Sequence, residues 1–246
     1  MVAATHSPQT LIRKLDSIFP LSDEEKRVLQ DLPVQVQELK ADLDIVRIGD
    51  RPSHSCLLLQ GFTCVYKLTS EGKRQIMAIH VPGDTPDLQS LHLKVMDNSV
   101  ATICPCTVGF IRHDDLRRVC ERYPRIAAAF WRETLVDASI FREWLLNVGR
   151  REAYTRMAHL LCEFRVKLKA VGLTEDDTFD LPLTQVKLAD VIATSTVHFN
   201  RVLQALRTNG LIQTRGTQVT IPDWARLKEA GEFDPLYLHL EREGAA

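Results

Sequence analysis

No apolar run in the 246 residues reaches the roughly 18 needed for a helix to span a bilayer. The first 20 residues lack a basic start followed by an apolar core, so no secretory leader is expected. A global basic field is missing too: the net charge is −1, which argues mildly against a nucleic-acid partner until the distribution is considered. The cysteines, Cys56, Cys64, Cys104, Cys106, Cys120 and Cys162, contain no C-x-x-C pair, so a zinc ribbon or four-thiolate cluster is not supported. Among His54, His80, His92 and His113 there is no H-x-H pair of the kind that would start a two-histidine, one-carboxylate metal centre. These absences lead to the expectation of a cytoplasmic protein with reduced thiols, no membrane partner, no cofactor, no metal and no enzymatic activity.

What is present has the balance of a globular protein, 45% hydrophobic and 26% charged. Leu11, Leu15, Ile18 and Phe19 recur at helical spacing until Pro20. Ser22 with Glu25 then makes a capping box for a second short helix ending near Leu32. From Val34 to Arg112 the period shortens. Apolar runs at Leu43 to Ile48, Cys56 to Leu59, Phe62 to Leu68, Arg74 to Val81, Val100 to Ile103 and Thr107 to Ile111 alternate with turns. Gly49-Asp50, Gln60-Gly61, Glu71-Gly72 and Pro82-Gly83-Asp84 supply those turns. Strands so evenly spaced predict a β-sandwich or small barrel.

Helical periodicity returns at His113 to Arg122. After Pro124, a natural first helical residue, a stretch without proline or glycine runs to Val148. It carries two apolar faces. Ala127, Trp131, Leu135, Ala138, Phe141 or Arg142, Leu145 and Val148 follow one set of three- and four-residue steps; Phe130, Ile140 and Trp144 mark another. One face suits the β-domain, and the other suits the same helix of a second subunit, although burial within one chain is the alternative. Gly149 is expected to break this helix. Another follows from about Glu152 to Val171, with Met157, Leu160, Leu161, Phe164 and Leu168 inward and Gly172 as its cap, before an acidic loop from Thr174 to Asp180.

Residues 181–212, LPLTQVKLADVIATSTVHFNRVLQALRTNGLI, are the most specific segment. Thr184 suits an N-cap for a first helix with Val186, Leu188, Ala189 and Ile192 inward. Ala193 to Ser195 make a three-residue turn, in which Thr194 or Ser195 can cap the next helix. A second helix follows, with Val197, Val202, Leu203 and Leu206 as its core stripe and Asn209-Gly210 as its stop. Gln213 to Ile221 reads as a hairpin around Arg215-Gly216-Thr217, which completes a winged helix-turn-helix. Thr196, His198, Asn200, Arg201 and Gln204 lie on the outer face. An arginine there can pair bidentately with guanine, and an asparagine or glutamine with adenine. Thr184 and Gln185 suit phosphate contacts. From 183 to 221 the only acid is Asp190, against Lys187, Arg201, Arg207 and Arg215. Each side chain alone could equally be a solvated surface residue; the array as a whole points to double-stranded DNA. The tail from Ile221 to Leu238 reads as a helix plus a docked aromatic end.

These residues resemble the family of the cAMP receptor protein and the fumarate–nitrate reduction regulator over nearly the whole chain. Thr184-Gln185, Leu188-Ala189-Asp190, Val197-His198, Asn200-Arg201 and Gly210-Leu211-Ile212 match that family's DNA-binding helices, and Gly49-Asp50 and Pro82-Gly83-Asp84 match the turns of its β-roll. The resemblance implies an α+β fold in three parts: a cyclic-nucleotide-binding-like β-jelly-roll over 1–123, a long dimerisation helix over 124–149, and a winged helix-turn-helix over 150–246. It implies a homodimer on a near-palindromic operator, Val197 among the DNA-facing residues, and contact with RNA polymerase in an activator. Departures from the pattern also matter. Cyclic-nucleotide receptors of the family carry a Gly-Glu pair and then an Arg-Ser or Arg-Thr pair; here Thr85-Pro86-Asp87-Leu88 and Asn98-Ser99 stand instead. A phosphate site with Asp87 and no arginine would repel a cyclic phosphate, so cAMP is not expected and any small-molecule effector is unidentified. Residues 1–40 contain no cysteine, which argues against the iron–sulfur cluster of the oxygen-sensing branch. Val197 stands where glutamate is common and Ala193 where a turn glycine is frequent. Two other readings remain. One is a regulator of the same fold that responds to haem or gas through His80 and His92, or to redox through Cys104 and Cys106. The other is a jelly-roll metalloenzyme using the histidines.

Overall fold

The computed structural model describes residues 8–240; the outer ends of the expected domains, 1–7 and 241–246, lie outside the described residues. The elements in order are α1 (Gln9–Ile18), α2 (Asp23–Gln30), β1 (Gln35–Leu39), β2 (Asp44–Val46), β3 (His54–Gln60), β4 (Thr63–Leu68), β5 (Arg74–His80), β6 (Ser99–Thr102), β7 (Cys106–Arg112), α3 (His113–Arg122), α4 (Pro124–Arg150), α5 (Ala153–Ala170), β8 (Thr178–Asp180), α6 (Gln185–Val191), α7 (Thr196–Thr208), β9 (Gln213–Arg215), β10 (Gln218–Thr220) and α8 (Trp224–Ala230), with single 3-10 turns at Leu88–Leu91 and Pro235–Leu238. The chain divides into two compact units. One holds the chain up to Tyr66 and Ile79–Ala138; the other holds Lys67–Ala78 and Ser139–Leu238.

In the first unit the chain starts as the sequence patterning dictates. Leu11, Leu15 and Ile18 bury the inner face of α1. Both halves of the capping box open α2: Ser22 Oγ accepts the Glu25 N–H at 3.2 Å, and the Glu25 carboxylate accepts the Ser22 N–H at 2.7 Å. The roll consists of two sheets: β1-β7-β3, with β1 and β3 antiparallel to β7, and β2-β6-β4-β5, with β2 and β4 antiparallel to β6. Cys56 to Leu59 of β3 are buried without alternation, so both faces of that strand are covered. The strand β1 was not legible as one: Gln35 to Glu38 are all exposed, and its place is set by backbone pairing to β7, from Gln35 opposite Phe110 to Leu39 opposite Cys106. Gly83, in the turn after β5, has a φ of +99°, and a β-carbon there would stand 2.7 Å from the Thr10 carbonyl oxygen. Glycine thus permits both the turn and the close approach of α1.

The helix α4 runs through Gly149 to Arg150, so the expected break falls instead at Arg151-Glu152. Phe130, Ile140 and Trp144 are buried on one side, while Trp131, Leu135 and Leu145 are 69%, 55% and 75% exposed on the other. In the second unit, Met157, Leu160, Leu161, Phe164 and Leu168 bury α5 as expected. The acidic loop is shorter than the sequence suggested, because its end, Thr178–Asp180, forms β8. That strand joins the wing and makes a three-stranded sheet, β8-β10-β9. Backbone pairing to β10 wins over local polarity there.

The tail docks through a buried polar network. Glu163, fully buried, accepts the Tyr237 hydroxyl at 2.7 Å and the Trp144 indole N–H at 3.1 Å. His159 Nδ1 lies 3.0 Å from the Gly231 carbonyl, and its Nε2 lies 3.1 Å from Tyr237 Oη. Burial lowers the His159 pKa and raises that of Tyr237, favouring the uncharged form of each. The network ties α5 to the segment from Gly231 to Tyr237.

Candidate nucleic-acid interface

The turn between α6 and α7 is built by caps. Thr184 Oγ1 accepts the Lys187 N–H at 3.3 Å at the start of α6. Of the two candidates for the α7 cap, Ser195 takes the role and accepts the His198 N–H at 3.2 Å. Ala193 adopts φ +51°, the left-handed conformation that the missing turn glycine would have made easy. An L-residue there costs on the order of 1 kcal/mol. Thr194 N–H reaches back to the Ala189 carbonyl at 2.9 Å and closes the turn.

The helix α7 buries Phe199, Val202, Leu203 and Leu206. Two inward assignments from the sequence are therefore corrected. Val197 is 65% exposed and Val186 64% exposed. The physical reason is register: Phe199, fully buried, takes the first core position of α7, and a residue two positions earlier falls on the opposite side of a 3.6-residue turn. The rank of Phe199 as the largest apolar side chain of the helix was the signal available in the sequence. Val197 accordingly joins the outer surface, where the family resemblance had placed it.

Every predicted DNA-facing residue lies at the surface of this unit. Thr184, Gln185, Val197, His198, Asn200, Arg201, Gln204 and Arg215 are exposed, and Thr196 is half-buried. Val197, Asn200, Arg201 and Gln204 form one edge of α7 at helical spacing, and Thr208 extends it, with Gln204 Nε2 donating to its hydroxyl at 3.5 Å. Arg215 sits beside the wing turn at Gly216. Arg207 is spent otherwise: its guanidinium donates to Thr214 Oγ1 at 2.6 Å and ties α7 to β9. The acid Asp190 is also answered within this unit, since Arg74 donates to its carboxylate through Nε at 2.9 Å. The edge therefore offers donors, one apolar contact and a cation without an opposing carboxylate from α6.

The histidines and cysteines that framed other readings are dispersed. His92 and His54 lie toward the surface, whereas His80 and His113 are buried. Among the described residues no three His, Cys, Asp or Glu side chains are grouped so as to hold a metal ion. Cys106 opens β7 but Cys104 lies in the preceding turn, so the two do not share a strand face. Both are buried, and the Cys106 thiol donates toward the Phe62 and Cys104 carbonyls at 3.2 and 3.1 Å. Contact with Cys104 and burial hold its pKa above the ordinary thiol range. Asp84, in the turn after β5, and Asp87, in the stretch that departs from the cyclic-nucleotide pattern, are buried. Asp87 accepts the Cys56 N–H at 2.7 Å, and Asp84 accepts the Val81 N–H at 3.0 Å. Among the described residues no helix is long and apolar enough to cross a membrane.

Comparison with known proteins agrees with this architecture. Residues 155–230 match the Crp-like helix-turn-helix domain and residues 36–123 the cyclic nucleotide-binding domain. The transcriptional activator protein FnrL of Cereibacter sphaeroides is 27% identical over 201 residues, covering 78% of this chain and 79% of that protein. The nitrogen fixation regulation protein FixK of Bradyrhizobium diazoefficiens is 26% identical over 172 residues, covering 70% and 71%. Among solved structures, FixK2 from Bradyrhizobium japonicum superposes with a TM-score of 0.72 at 22% identity over 81% of this chain and 98% of that one, a likeness of fold.

Proposed function

We propose that this chain, which belongs to the CRP/FNR family of DNA-binding transcription regulators, works in the cytoplasm as a homodimer that reads a near-palindromic operator through the outer edge of α7. The observation that carries the reading is the polarity of α7. Phe199 anchors its inner side with no exposure, while Asn200, Arg201 and Gln204 stand outward on a helix fixed by the Ser195 cap. Inserted into the major groove, Arg201 pairs with guanine and Asn200 or Gln204 with adenine. Val197 offers an apolar contact for a thymine methyl group. Thr184, Gln185, Thr196, His198 and Arg215 anchor to phosphates and fix the register.

The dimer reading rests on α4. Trp131, Leu135 and Leu145 leave a stripe of large apolar side chains in solvent along one face, with half-buried Ala138 between them and half-buried Ala127 and Val148 at its ends. Such a stripe fits a two-fold partner helix. Relatives named as transcriptional activators support activation as the output, for which the family resemblance implies contact with RNA polymerase. The sensor takes no cyclic nucleotide: Asp87 stands in the stretch where cyclic-nucleotide receptors of the family carry a Gly-Glu pair, and Asn98-Ser99 brings no arginine to neutralise a cyclic phosphate. No iron–sulfur cluster, haem or other cofactor is assigned to it, and no catalytic activity. Selection of bound duplexes from a random pool tests the reading. The expected product is an inverted repeat with half-sites about 10–10.5 base pairs apart, or a multiple of that. Recovery of single, unrepeated half-sites would contradict the dimer, and recovery of unselected sequence would contradict the readout.

A further inference from the structure

The sensor-like unit contains a buried group of charges that DNA reading does not use. Lys14 of α1 is 6% exposed, and its ammonium lies 3.0 Å from Asp84 Oδ1 in the turn after β5. His80, at the end of β5, is 2% exposed; its Nδ1 lies 3.3 Å from Asp84 Oδ2, and neither ring nitrogen makes a hydrogen bond. From α4, Glu133 is 2% exposed and accepts the Thr85 hydroxyl at 2.9 Å and the Thr85 N–H at 3.3 Å through Oε1, while its Oε2 has no partner. One turn further along α4, half-buried Asp137 adds its field to both Lys14 and Glu133. Three separate elements thus meet through charges that would be costly to bury without a task. Gly83 is the residue that lets α1 come close enough for Lys14 to take part.

We propose that this cluster is a proton-responsive joint: Glu133 gains or loses a proton and thereby sets how firmly the first half of α4 is held to α1 and to the turn after β5. With Glu133 neutral, Lys14 answers Asp84 and the field of Asp137, and Thr85 holds the carboxyl in place. With Glu133 ionised, a further buried negative charge faces Asp84 and Asp137 against the one ammonium. Burial pushes the Glu133 carboxyl up to about 8, with Asp137 and Asp84 adding to the rise and Lys14 and Thr85 opposing it. Burial alone would lower Lys14, but Asp84, Asp137 and Glu133 override it and hold the ammonium above the ordinary lysine range, so it stays charged throughout. A carboxyl whose folded value is raised contributes stability that is whole below its unfolded value of 4.5 and is lost as the pH rises through about 8. The joint is firm in mild acid and loosens in mild alkali. Since α4 also carries the stripe assigned to dimerisation, the joint would tune operator affinity; that consequence alone rests on the proposed function.

The test is a carbon-13 titration of the glutamate carboxyls in the full chain. One resonance, absent from the Glu133→Gln spectrum, is expected to titrate near pH 8. Thr85→Val, which deletes the hydroxyl donor to the carboxyl, is expected to move that midpoint upward, and it serves even if Glu133→Gln fails to fold. If every glutamate of the wild-type chain titrates in the ordinary carboxylate range, the proposal is overturned. A second arm follows the thermal midpoint and operator affinity across the same pH range. Both are expected to fall as the pH rises toward 8 in wild type, and Glu133→Gln is expected to flatten that fall. A titrating Glu133 with pH-independent operator affinity would overturn the regulatory role. Failure to find any preferred duplex would instead count against the DNA reading and leave the carboxyl titration to decide the joint.

Discussion

The two units use polar side chains in opposite directions. In the second unit, Asn200, Arg201 and Gln204 are turned out from a helix whose apolar side is anchored by Phe199. In the first, Lys14, Asp84, Asp87 and Glu133 are turned in, each almost without exposure. Outward polar groups keep their hydration until a partner displaces it, so they cost little to display and are available for recognition. Inward ones must be answered on the spot, and each answer ties separate stretches of chain together. The contrast separates a surface that meets a ligand from a core whose polar groups report on protonation.

The contrast can be broken at several points. The largest effect is expected from Phe199→Ala, which should cost about 3–5 kcal/mol in thermal or denaturant unfolding by opening a cavity under the α7 edge. Val197→Ala, on the outward side of the same helix, should change stability by no more than about 0.5 kcal/mol. Equal losses at the two positions would mean that the inward and outward sides have been misplaced. Replacing Leu145 with Asp on the exposed stripe of α4 should shift sedimentation toward the monomer without lowering the unfolding midpoint of the monomer itself. A variant that sediments like wild type would remove the stripe from the dimer interface.

Smaller effects sharpen the same comparison. Asp87 is held up to about 7 by burial, with the Cys56 N–H and its own backbone N–H opposing. Its contribution to stability is whole below the ordinary value of 3.8 and lost as the pH rises through about 7. Asp87→Asn should therefore make stability less dependent on pH between those limits, as measured by denaturant unfolding at a series of pH values; an unchanged profile would place the titration elsewhere. The smallest change is expected from Ala193→Gly. Relief of the left-handed alanine should raise stability by up to about 1 kcal/mol, seen as a higher unfolding midpoint.

Legibility in the sequence follows the same division. The reading head was legible because its signals are local: Thr184 and Ser195 as caps, Asn209-Gly210 as a stop, and a turn three residues long. Its errors, Val186 and Val197, came from treating valine as a core residue where helical register decided the matter. The strands from β3 to β7 were legible from their apolar runs, but β1 and β8 were not, since both are polar and exist through pairing with distant strands. Asp87 was read as repelling a phosphate, and Asp84 as part of a turn of the roll. That they are buried, and that Lys14 from 70 residues earlier in the chain answers Asp84, is long-range information with no local trace.

The account turns on whether the outer edge of α7 reads base sequence. Comparing the affinity of wild type and Arg201→Ala for a selected operator and for random duplex at one fixed salt concentration tests this most directly. Wild type is expected to prefer the operator strongly, and Arg201→Ala to lose about 1–3 kcal/mol of that preference while its random-duplex affinity changes much less. Equal affinity of wild type for operator and random duplex, or an Arg201→Ala variant that discriminates as well as wild type, would contradict it.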